Sequence, residues 1–160
     1  MGKYFVELVI YKKVTNKEIT MEKIYFKLPI ENDYPPVSEE SVWGEEVEKQ
    51  SFQIKNIPFY TKEVSFNDIV SVIEKDGVFY YKKMIKSSGN STVRVIFFND
   101  EKIEEYISHI EKMGCDYEKF SSNFLAINIP ITTNIEVVLN YLEYLSSKEI
   151  ADYEYGKITQ

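Results

Sequence analysis

The sequence predicts an α+β protein with two regions, a small β-barrel-like region over 1–90 and a ferredoxin-like β-α-β-β-α-β unit over 91–160. Thirteen tyrosines and ten phenylalanines favour pleated, half-buried strands. Segments of the first region alternate apolar and polar residues, which is the period of a β-strand. Two segments of the second region repeat their apolar residues every three to four positions, which is the period of an amphipathic helix.

The first region is predicted to be a succession of short strands. Alternating residues predict strands at 4–12 and 22–29, and a proline-containing loop follows at 31–38. Two further short strands are expected at 41–48 and 51–54. Asp76-Gly77 stands between apolar runs, which is a strong signal for a hairpin whose second strand covers 78–85. Short strands joined by turns indicate a strongly bent sheet or a barrel.

The second region is predicted to alternate strands with two helices. Ile103, Ile107, Ile110 and Met113 form one apolar helix face after a cap at Asn99 or Asp100. A second helix starts at Thr132 or Thr133. In chain order the expected elements are a strand at 91–98, a helix at 101–113, strands at 116–120 and 123–129, the second helix and a strand at 150–158. This order matches a ferredoxin-like unit, in which two helices cover one face of a four-stranded antiparallel sheet.

The composition indicates a soluble, folded globular protein. Of the 160 residues, 44% are hydrophobic and 28% are charged, which is typical of globular rather than disordered chains. No apolar run approaches the roughly 20 residues that cross a bilayer, and the first residues lack the apolar core of a signal peptide. One cysteine, Cys115, excludes an internal disulfide framework. We therefore expect a cytoplasmic protein without a membrane partner.

Acidic side chains are concentrated in residues 31–48, which contain seven carboxylates and no Lys or Arg. The chain as a whole has a net charge of -7. An acidic surface repels phosphate backbones, so we expect no nucleic-acid partner. It suits a basic protein partner or a cation, and the alternative is a solvated loop with Trp43 packed onto the barrel core. The candidate partner-binding residues are Glu39, Glu40, Trp43, Glu45 and Glu46.

A second candidate site is the polar turn before the strand at 91–98. Its backbone N–H groups can bind an anion, and Arg94 can bind a carboxylate or phosphate with two hydrogen bonds. The alternative is structural, with Arg94 paired to Asp68 or Glu40 across the barrel. The candidate ligand-binding residues are Gly89, Ser91, Arg94 and Asp68.

The sequence contains no recognisable catalytic constellation. His109 and Cys115 are six residues apart, about 600° around a helix, so their side chains do not share a face. One histidine and one cysteine exclude a standard zinc tetrad, and no phosphate-binding glycine motif occurs. An enzyme that used Arg94, Asp68 and Ser91 would lack a positioned general base. We therefore predict a protein that is not an enzyme and has no cofactor or metal.

Four short motifs fall in order along the chain. They are an acidic segment with a tryptophan (Glu40 and Trp43), an Asn-x-Pro-Phe turn (Asn56, Pro58 and Phe59), an aromatic-x-Asp-x-Val strand start (Phe66, Asp68 and Val70) and a Gly-x-Ser-Thr-x-Arg-Val strand (Gly89, Ser91, Thr92, Arg94 and Val95). Together they resemble a bacterial family of unknown function, family 4265, over about residues 22–155. Asn67 stands where many members have Gly. The resemblance implies no established activity, although uncharacterised bacterial families of this size are frequently accessory or immunity proteins.

The function expected from the sequence is that of a non-enzymatic bacterial binding protein. Its sharper form is an immunity-type inhibitor that covers a basic toxin or nuclease with its acidic surface, where charge complementarity would speed association. The alternative is a small-ligand-binding or regulatory domain.

Overall fold

The computed structural model describes residues 18–99 and 101–160, which form two β-sheets and two helices. The chain is mostly β, in agreement with the expected α+β class. The strand predicted at 4–12 lies outside the described residues. In chain order the elements are β1 (Met21–Lys27), β2 (Glu39–Glu48), β3 (Ser51–Ile54), β4 (Ile69–Lys75), β5 (Val78–Lys86), β6 (Ser91–Phe97), α1 (Ile103–Lys112), β7 (Asp116–Lys119), β8 (Phe124–Ile129), α2 (Ile135–Ser147) and β9 (Ala151–Tyr155).

Strands β1 to β5 form a closed ring, called the ring below. Consecutive strands pair antiparallel, and β1 closes the ring by pairing parallel to β5. Alternate side chains point inward, and they pack into a core that includes Ile24, Phe26, Val42, Phe52, Ile54, Val70 and Val72. Gly44 also faces this core, because a Cβ at that position would lie 2.5 Å from the Ile24 side chain. The closing contact is short, since it pairs only Ile24 with Phe79 and Tyr25 with Tyr80.

Strands β6 to β9 form the second sheet, in the order β7-β8-β6-β9 with all neighbours antiparallel. Both helices pack on one face of it. Their buried residues Ile107, Ile110, Leu142 and Leu145 meet inward-facing residues of β6 and β8 in one core. The other face of this sheet, called the open face below, carries no helix from residues 18–99 or 101–160.

The two predicted helices are present, but their starts differ from expectation. The first begins at Ile103, with Lys102 at the N-cap position, and Asn99 instead accepts the N–H of Glu101 in the turn before it. The second is capped by Asn134, whose side chain accepts the N–H of Glu136 at 3.0 Å. The expected starts at Thr132 or Thr133 are therefore wrong, because Asn134 has the extended backbone and the side-chain acceptor of an N-cap.

Residues 55–68, called the connecting segment below, join β3 to β4 and lie between the two sheets. Val64 of this segment is fully buried in the core of the ring. On its other side the segment bonds to the open face: Thr61 accepts from Arg94 of β6 at 2.7 Å. The hydroxyls of Ser65 and Thr92 are also hydrogen-bonded, 2.9 Å apart. The segment therefore joins the ring to the second sheet.

Candidate binding site

A pocket of about 440 Å³ lies at the open face, next to the edge strand β9. It forms where the loop between β1 and β2 and the connecting segment both approach the second sheet. The pocket is therefore built from both regions of the chain. Its lining residues are Asp33, Tyr34, Pro36, Tyr60, Arg94, Ile96, Phe124, Asp152, Tyr153 and Glu154.

Arg94 is the buried cation of the pocket, with only 1% of its surface exposed. Its Nη2 donates to the carbonyl of Thr61, and its Nη1 lies 3.5 Å from the carbonyl of Tyr155 and 3.6 Å from the carboxylate of Glu154. Burial lowers the pKa of the guanidinium, and Glu154 opposes that shift. The Nε–H is buried and has no acceptor within the described residues.

Tyr34 closes the pocket from the side of the β1–β2 loop. Its hydroxyl donates to Glu154 at 2.8 Å, and burial together with this acidic neighbour raises the pKa of the phenol. The backbones of Glu31 and Tyr34 exchange hydrogen bonds at 2.9 and 3.1 Å, which makes a tight turn. Asn32 and Asp33 inside the turn have φ of 52° and 61°, a conformation that these residue types tolerate. The turn presents Asp33 and Tyr34 to the pocket.

The apolar wall of the pocket belongs to an aromatic cluster on the open face, which consists of Phe59, Tyr60, Phe120 and Phe124. Ring centroids within this cluster are 5.3 to 6.1 Å apart, mostly in edge-to-face arrangements. Tyr34 extends the cluster, because its ring lies 6.2 Å from that of Tyr60. Phe120 remains 61% exposed. An exposed group of aromatic side chains beside a pocket is typical of an interaction surface.

Two carboxylates hold the connecting segment that carries Tyr60. Glu40 accepts the N–H groups of Phe59, Tyr60 and Thr61 at 2.6, 2.9 and 2.7 Å. Glu118 of β7 accepts the N–H of Ile57 at 3.0 Å. Burial raises the pKa of the Glu118 carboxyl to about 7, although this hydrogen bond acts in the opposite direction. The position of the aromatic wall therefore depends on two acidic side chains that accept hydrogen bonds from the backbone of the connecting segment.

The candidate Glu40 was singled out as a residue of the acidic surface, and its side chain is bonded to the backbone of the connecting segment. Trp43 is half-buried on the outside of the ring, since its neighbours Val42 and Gly44 point inward. The alternative position for Trp43, in the barrel core, is therefore wrong. The Nζ of Lys23 lies 5.3 Å from the centre of the Trp43 ring.

Glu39, Glu45 and Glu46 are also on β2, where β1 and the connecting segment supply lysines. Glu45 forms an ion pair with Lys55 at 3.4 Å. Glu39 is exposed and stands opposite Lys27 in the β1–β2 register. Glu46 is half-buried. The negative charge of this acidic segment is therefore partly compensated by Lys27 and Lys55.

Asp68 is fully buried and joins three parts of the chain. Its carboxylate accepts the N–H of Ser65 at 2.8 Å, the N–H of Ser88 at 2.7 Å and the ammonium of Lys157 at 2.7 Å. The expected pairing of Arg94 with Asp68 or Glu40 is wrong: the ion pair of Arg94 is with Glu154, its partner in the β6–β9 register.

Gly89 and Ser91 belong to the turn before β6. Gly89 has φ of +83°, and a Cβ there would contact Ile131, so the turn needs glycine at this position. The hydroxyl of Ser91 accepts the N–H of Thr159 at 2.9 Å. Neither residue lines the pocket.

A family model for a domain of unknown function (DUF4265) matches residues 40–153. This chain belongs to that family. The match confirms the family resemblance of the four sequence motifs. The structure also brings motif residues together: Glu40 and Arg94 both bond to the connecting segment, and Asn56 accepts the N–H of Trp43 at 2.6 Å.

A solved structure of similar fold is a hypothetical protein from Neisseria gonorrhoeae. It superposes with a TM-score of 0.77 at 20% identity, covering 88% of this chain and 97% of that chain. At this identity the likeness concerns the fold alone. No curated protein matches the chain.

The single cysteine and the single histidine both lie outside the lining of the pocket. Cys115 is buried, and burial raises the pKa of its thiol to about 12, so the thiolate is scarce at neutral pH. The ring of His109 packs against that of Tyr141 of α2 in a tilted arrangement, with ring centres 4.4 Å apart. Within residues 18–99 and 101–160 there is no group of three or more His, Cys, Asp or Glu that could hold a metal, and no helix is long and apolar enough to cross a membrane.

Sequence reasoning missed most of the pocket. Tyr34, Tyr60 and Glu154 were not singled out, because they come from three distant parts of the chain and none belongs to a motif of known chemistry. One usable signal was the Asn32-Asp33 turn, since turn residues followed by an aromatic side chain often present that side chain on a surface. The β6–β9 pairing that places Glu154 beside Arg94 has no local signal.

Proposed function

We propose that this protein is a non-enzymatic binding protein that presents an acidic, aromatic-walled pocket to a basic protein partner. The observation that carries the proposal is the charge of the pocket lining: Asp33, Asp152 and Glu154 oppose one buried cation, Arg94, beside exposed aromatic side chains. Opposite charges steer a basic partner to such a site, and aromatic residues act as anchors. The sharper form of the proposal is an immunity-type inhibitor of a basic toxin or nuclease.

The overall charge of the described residues supports this choice of partner. They carry 24 Asp and Glu against 15 Lys and Arg. Outside the pocket, β2 carries the exposed Glu39 and the half-buried Glu46, and Lys27 of the ring stands opposite Glu39. The proposal includes a cytoplasmic location in bacteria, which the single free cysteine supports.

A small-ligand-binding domain is the second candidate function, and the size of the pocket favours it. About 440 Å³ falls within the usual range of small-molecule sites. We infer that the unit over 91–160 is ferredoxin-like, because its β-α-β-β-α-β order and its β7-β8-β6-β9 sheet fit that fold. A sheet with helices on one face has its other face available for a ligand.

The test is affinity capture from a bacterial lysate with the tagged protein, at low salt and at about 0.5 M salt, where charges on the surface are screened beyond a few ångströms. Asp33→Lys with Asp152→Lys changes the pocket. Glu48→Lys with Glu74→Lys is the matched control, because both residues are exposed and neither lines the pocket.

The proposal expects one basic protein captured in stoichiometric amount at low salt and reduced at high salt. The pocket variant should lose it and the control variant should keep it. Equal loss in both variants would contradict a role for the pocket. Absence of any stoichiometric protein at either salt would leave the small-ligand function as the better account.

A further inference from the structure

We propose that the pocket binds a guanidinium group carried on an aliphatic stem. Tyr34, Tyr60 and Phe124 would form its aromatic walls, and Asp33 and Asp152 would accept its hydrogen bonds. This inference rests on the proposed function, since it names the chemical group by which a basic partner is recognised.

The charges of the pocket select a cation. Glu154 already interacts with the guanidinium of Arg94 and with the hydroxyl of Tyr34, so its charge is largely compensated inside the protein. Asp33 and Asp152 are both exposed and line the same pocket. They leave the lining with an excess of negative charge, which disfavours an anionic ligand. Both Nη atoms of Arg94 also contact carbonyl oxygens of the chain, which further limits its use as an anion-binding group.

The aromatic walls favour an organic cation over a metal ion. The faces of tyrosine and phenylalanine rings attract cations, and the attraction is stronger where water is excluded. Tyr34 and Tyr60 meet edge to face, and Phe124 lies 6.1 Å from Tyr60. The pocket lining contains no histidine or cysteine. Oxygen-preferring metal ions require more carboxylate or carbonyl ligands than these two exposed aspartates offer, and the carboxylate of Asp152 already accepts the N–H of Tyr153.

Among organic cations, a guanidinium fits the pocket better than an ammonium. It is planar, it is more weakly hydrated, it stacks on aromatic rings, and its fork of N–H donors matches a carboxylate. An ammonium is a compact and strongly hydrated charge, so it loses more hydration free energy on entering an apolar-walled site.

The size and apolar lining of the pocket leave room for more than the charged group. Ile96 and Phe124 provide a surface for the methylene stem, as long basic side chains usually bury their stems on apolar surface. A protein arginine and a free guanidino compound share this chemistry, so both are sources of the same ligand group.

The experiment is an NMR titration of the ¹⁵N-labelled protein with N-acetyl-L-arginine methylamide. The neutral analogue N-acetyl-L-citrulline methylamide and the corresponding lysine compound are matched probes of similar size. We expect saturable shifts at the amides of Asp33, Tyr34 and Asp152–Glu154 with the arginine probe. Affinity should be at least about tenfold lower for citrulline and about threefold lower for lysine, since the first lacks the charge and the second lacks the planar fork.

Two pairs of variants separate the pocket from general surface charge. Asp33→Asn with Asp152→Asn should lower the affinity for the arginine probe about five- to tenfold, as expected for the loss of two exposed ion pairs. Glu48→Gln with Glu74→Gln removes the same charge elsewhere and should leave the affinity within twofold. Tyr34→Leu should weaken binding and Tyr34→Phe should retain it, because the ring is the required feature. Tyr34 is 47% exposed, so both substitutions are compatible with folding.

Equal affinity for the arginine and citrulline probes, or shifts that map away from the pocket, would overturn the inference. The experiments can reject the guanidinium site and the proposed protein partner separately. Capture of a basic protein by the Glu48/Glu74 control, together with no arginine response in the pocket, would reject the guanidinium site alone. A saturable arginine response without any captured protein would reject the protein partner and keep the guanidinium site, with a free small molecule as its source.

Discussion

The ring and the second sheet bury their apolar residues in different ways. The ring encloses its core completely, because its first and last strands pair with each other. The second sheet covers one face with two helices, and the connecting segment covers much of the other face from outside, so that Thr92, Arg94 and Asn128 are buried there. The segment covers it only in part, and the pocket lies where the covering ends. The binding surface that we propose therefore lies where the burial of one sheet is incomplete, and not on the acidic strand of the ring.

The largest expected effect comes from the link between the two regions. Arg94→Met removes the cation that bonds to Thr61 and leaves the carbonyl and Glu154 without it. We expect a loss of about 3 kcal/mol in the free energy of unfolding, because the buried Thr61 carbonyl loses a charged donor and the partly exposed Glu154 loses its counter-charge. Urea denaturation measures it. The control is Lys148→Met, an exposed cation, which should change stability by less than about 0.5 kcal/mol. A small effect of Arg94→Met would show that the two regions do not depend on this link.

A second variant pair tests whether Glu40 belongs to the surface or to the connecting segment. Glu40→Ala removes the acceptor of three backbone N–H groups, and we expect a loss of about 2–4 kcal/mol. Glu39→Ala changes the neighbouring exposed residue and should cost no more than about 0.5 kcal/mol. Thermal or denaturant unfolding compares the two. Equal losses of stability in the two variants would mean that Glu40 is a surface residue that does not hold the connecting segment.

The pH dependence of stability tests the second carboxylate of the segment. The pKa of Glu118 is about 7 in the folded protein, above its ordinary value, so the folded state holds this proton more tightly than the unfolded state. Its contribution to stability is present at acidic pH and is lost as pH rises towards 7. Glu118→Gln removes this loss, so the variant should gain about 2 kcal/mol over the wild type at pH 8 and little at pH 4.5.

The matched control for this pH series is Glu105→Gln, which changes an exposed glutamate on α1. It should follow the pH profile of the wild type. Denaturant unfolding at several pH values measures both variants. A wild-type profile for Glu118→Gln would mean that Glu118 does not hold the connecting segment in its protonated form.

The smallest effect is expected from the remaining carboxylates of β2. Replacement of Glu39, Glu45 and Glu46 with glutamine removes charge that Lys55 and Lys27 already partly compensate. The association rate with a basic partner should fall less than about threefold, whereas the Asp33/Asp152 variant should slow it more. Stopped-flow or surface association kinetics at low salt can compare the two. A larger effect from β2 would place the partner on the ring.

The elements with strong local patterns could be predicted from the sequence. The Asp76-Gly77 hairpin and the faces of both helices agree with the structure, because each depends on neighbouring residues. The pocket could not be predicted in this way. Tyr34 and Glu154 are 120 positions apart, and only the register of β9 against β6 brings Glu154 to Arg94. Glu40 was difficult for a different reason. A carboxylate within an acidic segment is expected to face water, but the side chain of Glu40 bonds to the backbone of the connecting segment.

The most direct test of the central claim is site-specific photo-crosslinking in cells. A benzoylphenylalanine at Phe120, beside the pocket, is compared with the same group at Trp43 on the outside of the ring. Both positions replace a surface-accessible aromatic residue with another. The account predicts that position 120 captures a basic protein and position 43 does not. Capture from position 43 alone would contradict it and would make the acidic wall of β2 the binding surface.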